Sequence, residues 1–78
     1  MTDIDTIQRH VLWAFTMDGV CPGRFIERLI YAIANADSDN LARLRLGFPE
    51  YVDAVRAYQT GADIERYPII RQAIESSR

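Results

Sequence analysis

Two side chains in this sequence could act as a nucleophile or a general base: the single cysteine, Cys21, and the single histidine, His10. Cys21 directly precedes a predicted helix start, a position that can favour a reactive thiolate. A disulfide oxidoreductase would need a second cysteine three residues later, and a cysteine phosphatase would need an arginine six residues later. Those positions hold Arg24 and Glu27. We therefore predict no enzymatic activity and no catalytic residue, and we interpret Cys21 as a small, half-buried turn residue.

The acidic run 37–40, Asp-Ser-Asp-Asn, suggests a calcium loop. An EF-hand counted from Asp37 would need an oxygen ligand at its fifth position, Gly at its sixth and Glu at its twelfth. Those positions hold Leu41, Ala42 and Phe48. Capping of the following helix by Asp37 or Asp39 explains the run without a metal. One cysteine and one histidine do not make a zinc site either, so we predict no metal and no cofactor.

The elements that position these residues are predicted to be helices. Apolar residues recur at helical spacing between short turns that contain glycine, proline or aspartate, and no segment is typical of a strand. The prediction is a single all-α domain over 1–78, a compact small bundle of four to five short helices. The predicted helices are about 4–17, 23–36, 39–46, 49–60 and 68–76, with a short turn at 63–67.

The predicted helices differ in the width of their apolar sides. The second has the broadest, so we predict it to be central. The apolar positions are Ile4, Ile7, Val11 and Phe15 on the first helix, and Phe25, Ile26, Leu29, Ile30 and Ile33 on the second.

Some large side chains fall outside these apolar stripes. Trp13 lies on the opposite side of the first helix from Ile4, about 180° around its axis, beside Met17. It is therefore either covered by the carboxy-terminal helix or exposed. Exposed Trp, Met and Arg together are typical of the centre of a protein interface. On the polar side of the second helix, Tyr31 is grouped with two arginines. The candidate protein-binding residues are therefore Trp13 and Met17, with Arg24, Arg28 and Tyr31 as a second group.

The segment Gly47-Phe48-Pro49 is predicted to be a tight structural corner between two helices. Gly47 suits a left-handed helix cap and Pro49 suits the first turn of the next helix. Phe48 would then continue the apolar stripe across the corner and fill the core.

Residues 41–58 could alternatively form a helix-turn-helix that binds DNA. Ala42 would be the small residue of its first helix and Gly47 its turn, but the spacing between them is one residue too long. The recognition helix would also begin with Glu50 and Asp53 where positive charge is needed. We keep a DNA-binding regulator as the alternative function.

Composition and charge limit the partners. Net charge is −2 and the isoelectric point about 5.2, which does not favour a nucleic-acid partner. No apolar run approaches the ~20 residues of a membrane helix. The acidic start is unlike a signal peptide, so we expect a cytoplasmic protein in a bacterial cell. All nine basic residues are arginine, which indicates a GC-rich genome.

The segments 24–37 and 40–61 resemble a group of short uncharacterised proteins of actinobacterial bacteriophages and prophages. The matching residues are Ala36-Asp37, Asn40-Leu41, Leu46 to Val52, and Val55. The resemblance covers about half the chain and implies no established activity. We expect a small, non-catalytic protein-binding module that binds a host or phage protein and also itself, as a homodimer. A small core that gains from association supports this expectation.

Overall fold

The structure, a computed structural model, describes residues 3–76, and within them it confirms the all-α prediction. Five helices and one 3-10 turn pack into a body of 32 × 25 × 22 Å, and no strand occurs in this range. The elements are α1 (Ile4–Thr16), α2 (Arg24–Asn35), α3 (Ser38–Gly47), α4 (Pro49–Thr60), the 3-10 turn Ile64–Arg66, and α5 (Pro68–Ser76).

Helix α4 is the centre of the bundle, so the prediction that the second helix is central was wrong. It contacts each of the other four helices. Its first turn begins with Pro49, whose fixed φ suits that position, and Gly61 ends the helix in the left-handed conformation. Small and β-branched side chains let neighbouring helices approach it from several sides. Its buried residues are Tyr51, Val52, Ala54, Val55 and Ala57.

Helix α1 begins and ends through local hydrogen bonds. The carboxylate of Asp3 accepts a hydrogen bond from the Thr6 N–H at 2.8 Å, and this bond lowers the pKa of Asp3. At the other end, Met17 takes the left-handed conformation with φ of 67° and donates its N–H to the Trp13 carbonyl. The helix therefore ends one residue earlier than predicted. Met17, and not a glycine, occupies the left-handed cap.

The corner between α3 and α4 differs in one respect from the prediction. Asp37 caps α3 by accepting from the Asn40 N–H at 2.8 Å, as expected. Gly47, however, is the last residue of α3 and does not have a positive φ, so its predicted left-handed cap was wrong. Phe48 alone joins the two helices, with φ of −136° and ψ of 55°. Its side chain is half-buried against the core, and its ring lies 6.0 Å from that of Phe25.

The buried side of α1 is rotated from its predicted position. Leu12 and Gln8 are buried, whereas Ile4 remains 45% exposed. The reason is α5, which packs along the Gln8 side of α1. The Gln8 side-chain oxygen accepts from the N–H groups of Ile69 and Ile70 at 2.8 and 3.1 Å. On α2, Phe25 was assigned to the core but is 67% exposed.

Candidate interaction surface

The first candidate surface follows the outer side of α1. Arg9 and Trp13 are four residues apart on α1, and Met17, the left-handed residue that ends the helix, follows after four more, so we treat the three as one row. Met17 is 69% exposed, and Trp13 is half-buried. The indole is thus neither in the core nor fully in solvent.

The turn after α1 folds back along this row. The Val20 N–H points at the Arg9 carbonyl at 3.5 Å. Gly19, with φ of 108°, lies so close that a Cβ there would be 2.6 Å from the same oxygen. Since Arg9 and Trp13 are successive members of the row, this turn approaches α1 next to Trp13. Val20 is 48% exposed. We name Trp13, Met17 and Val20 the α1 patch.

The second candidate group lies on a different side of α1. The Tyr31 hydroxyl donates to the Ala14 carbonyl at 2.8 Å, and the Tyr31 ring meets Phe15 edge-on at 6.4 Å. Phe15 and Trp13 are about 200° apart around α1, so the structure does not join Tyr31 to the α1 patch. Tyr31 is 40% exposed, and its hydroxyl satisfies one of the last carbonyls of α1.

Arg24 and Arg28 are exposed on α2. They precede Tyr31 by seven and three residues, so the three side chains share one side of the helix. No ion pair of Arg24 or Arg28 occurs among residues 3–76. This side of α2 therefore presents two arginines without an ion pair in that range, next to a tyrosine whose hydroxyl already donates one hydrogen bond.

His10 connects α1 to α4. Its Nδ1 lies 2.8 Å from the Tyr51 hydroxyl, and the two rings are parallel with centroids 6.2 Å apart. Burial lowers the pKa of His10 below its usual 6.5. The sequence indicated neither contact, because a pairing across 41 positions leaves no local pattern. A ring held against a buried tyrosine has a packing role.

Cys21 is exposed in the turn between α1 and α2, so its interpretation as half-buried was wrong. Within residues 3–76, no group of three or more His, Cys, Asp or Glu side chains is placed to hold a metal ion.

The α3–α4 corner does not have the features of a helix-turn-helix. That motif usually joins its helices by three or four residues, whereas Phe48 alone joins these two. Ala42, the proposed small contact residue, is exposed. Arg45 donates to Asp53, so these two charges at the corner neutralise each other. These observations do not favour DNA binding by residues 41–58.

Among residues 3–76, sequence patterns missed the exposure of four apolar side chains: Ile4 at 45%, Val20 at 48%, Phe25 at 67% and Leu46 at 87%. Leu46 lies about 200° from Leu44 on α3, on the side away from the core. The apolar stripe predicted from the sequence included Leu41 and Leu44 but made no statement about Leu46. No helix described between residues 3 and 76 has the length and apolarity needed to cross a bilayer.

The chain matches no family model, no curated protein and no solved structure. Its function must therefore be argued from its own geometry.

Proposed function

We propose that this domain is a small, non-catalytic protein-binding module that uses the α1 patch to bind a protein partner and to self-associate. The observation that carries the proposal is the exposure of Met17, at 69%, beside the half-buried Trp13. Val20 extends the same apolar area. The partner is a host or phage protein, in keeping with the resemblance of segments 24–37 and 40–61 to bacteriophage proteins.

The composition of the patch suits an interface centre. Tryptophan, methionine and arginine are enriched at such centres, and tryptophan is among the residues whose truncation most weakens binding. Trp13 and Met17 supply the apolar area, and Arg9 lies at the edge of the row. Methionine adapts its shape to a partner because its side chain is unbranched and flexible.

The position of Met17 allows a clean test. Asparagine tolerates the left-handed conformation better than methionine, so Met17→Asn removes the apolar side chain without adding backbone strain. Light scattering across a concentration series should show association of the wild-type domain and a weaker association of Met17→Asn. Leu46→Gln is the matched control, because it removes another exposed apolar side chain, 87% exposed, from α3.

Three results would count against this proposal. The wild-type domain could stay monomeric while the fluorescence of Trp13 is that of a fully buried indole. Met17→Asn and Leu46→Gln could reduce association equally. Affinity capture from host lysate could recover the same protein with wild-type and Met17→Asn baits. The proposal expects capture of a discrete partner by the wild-type and Leu46→Gln baits, and its loss with Met17→Asn.

A further inference from the structure

A pocket of about 290 Å³ lies on the opposite part of the molecule from the α1 patch. The beginnings of α1 and α4 and the 3-10 turn before α5 enclose it. Its volume is close to the lower limit for small-molecule sites, which suits a ligand of few non-hydrogen atoms. Its lining residues are Ile4, Ile7, Pro49, Glu50, Asp53, Arg66 and Tyr67.

The hydroxyl of Tyr67 is the most unusual group in this lining. Tyr67 is only 4% exposed, yet within residues 3–76 its hydroxyl has no hydrogen-bond partner. Buried tyrosines usually find one. No fully enclosed polar side-chain atom in that range lacks a partner, so the Tyr67 oxygen must reach an opening. Tyr67 lines the pocket, so we infer that its hydroxyl opens into it.

The charged groups around Tyr67 also act on its hydroxyl. Burial raises the pKa of Tyr67, and the negative charge of Asp53 raises it further. Asp53 also lines the pocket, so its carboxylate acts on the hydroxyl from the pocket wall. An unpartnered hydroxyl at the floor of a pocket can donate to a ligand and also accept from it.

Two opposite charges at the pocket are free to bind a ligand. Asp53 is already paired with Arg45. Glu50 has no ion-pair partner among residues 3–76, and the contact of Arg66 is with the Tyr67 ring, 6.0 Å from its centroid. One free carboxylate and one free guanidinium complement a ligand that carries both an ammonium and a carboxylate group.

The rest of the lining is apolar. Ile7 is buried at the base, and Ile4 is half-exposed at the rim. Together with Pro49 they form a wall that can cover a short aliphatic side chain. We propose that this pocket binds a compact zwitterion with an apolar body, that is, an aliphatic α-amino acid. Glu50 holds its ammonium group, Arg66 holds its carboxylate, and the Tyr67 hydroxyl hydrogen-bonds to one of them.

The proposal is independent of protein binding by the α1 patch, because the two sites share no residue. Titration of the ¹⁵N-labelled domain with L-leucine, followed by two-dimensional NMR, tests it directly. We expect saturable shifts at the amides of Ile4, Ile7, Glu50 and Tyr67. Isovalerate lacks the ammonium group and isoamylamine lacks the carboxylate, so each should bind at least about tenfold more weakly.

Tyr67→Phe tests the role of the hydroxyl without changing the shape of the ring. It should weaken leucine binding by about three- to tenfold. The thermal midpoint should stay unchanged, because the hydroxyl has no partner to lose within the described chain. Glu50→Gln should weaken leucine but not isovalerate.

Three outcomes would overturn the proposal. Leucine could give no saturable shift at millimolar concentration. All three probes could bind equally, which would make the pocket an apolar cleft only. Tyr67→Phe, with an unchanged midpoint, could bind leucine as the wild type does.

Discussion

The side-chain oxygen of Gln8 accepts a hydrogen bond from the backbone N–H of Ile70 at 3.1 Å, which joins residues 62 positions apart. The same oxygen accepts from the Ile69 N–H at 2.8 Å. The first N–H groups of a helix have no partner within the helix and are usually capped by a nearby side chain. Here a side chain of α1 caps α5. Gln8 is fully buried, so it fixes the position of α5 as well as its start.

Gln8→Leu should destabilise the domain by about 1–3 kcal/mol, because two N–H groups at the start of α5 would lose their acceptor. Urea denaturation measures the change. Gln72→Leu is the matched control, since Gln72 is exposed on α5 and should change stability by no more than about 0.5 kcal/mol. Equal effects of the two substitutions would show that the buried hydrogen bonds contribute little.

Gly19→Ala and Gly47→Ala should change the stability of the domain in opposite directions. At Gly19, φ is 108° and a Cβ would lie 2.6 Å from the Arg9 carbonyl, so alanine should cost more than about 1 kcal/mol. Gly47 lies in a helix, and a Cβ at this position would meet no atom within 4 Å, so alanine should stabilise by up to about 1 kcal/mol. Thermal denaturation of both variants checks the pair. If the Gly19→Ala variant were as stable as the wild type, that result would contradict the close approach of the turn to α1.

Phe48→Ala should destabilise the domain by roughly 2 kcal/mol. A fully buried phenylalanine would cost about 3–5 kcal/mol, but Phe48 is half-buried, so the loss of apolar burial is smaller. Urea denaturation gives the value. Phe25→Ala is the comparison, because Phe25 contacts the same ring from a position that is 67% exposed. We expect it to cost less than Phe48→Ala; the reverse order would mean that Phe48 does not contribute to the core.

Stability should fall as the pH drops below about 6.5, because of His10. Burial lowers the pKa of His10 in the folded state below its usual 6.5, so the folded state prefers the neutral imidazole. The contribution of neutral His10 to the free energy of unfolding is therefore complete above the unfolded-state pKa. It is lost as the pH falls toward the folded-state pKa. Asp3, whose pKa is lowered from 3.8, changes the stability of the domain only at lower pH.

Urea denaturation at about pH 7.5 and pH 5.5 brackets this window. In His10→Gln the difference in stability between the two pH values should shrink. An unchanged difference would assign the pH dependence to another group. An NMR titration of the imidazole gives the folded-state pKa directly.

The sequence predicted the helix boundaries well where the residues that start or end a helix lie next to those boundaries in the chain. Proline and glycine mark both ends of α4 and proline marks the start of α5, and both helices have the predicted bounds. For α3, the sequence left the cap open between Asp37 and Asp39; the structure shows Asp37, and the helix begins one residue earlier than predicted. Such boundary residues act through a few neighbours in the chain, so a single sequence is enough to recognise them.

The orientation of the helices was less predictable. Gln8 is polar, and only the arrival of α5 explains why it is buried. Phe25 has the right spacing for the core but lies too near the beginning of α2 to be covered. Likewise, His10 and Tyr67 owe their environments to residues far along the chain. The candidate pocket could not be predicted for the same reason, and the sequence left open whether the side of α1 that carries Trp13 was exposed or covered.

Helix α3 has no buried residue and contacts mainly α4. Its half-buried leucines, Leu41 and Leu44, are all that it adds to the core. Local opening of such a segment exposes little apolar surface, so its backbone amides should exchange with solvent deuterium well before those of α4. The single residue Phe48 would then separate a helix that unfolds on its own from one that unfolds only with the whole domain.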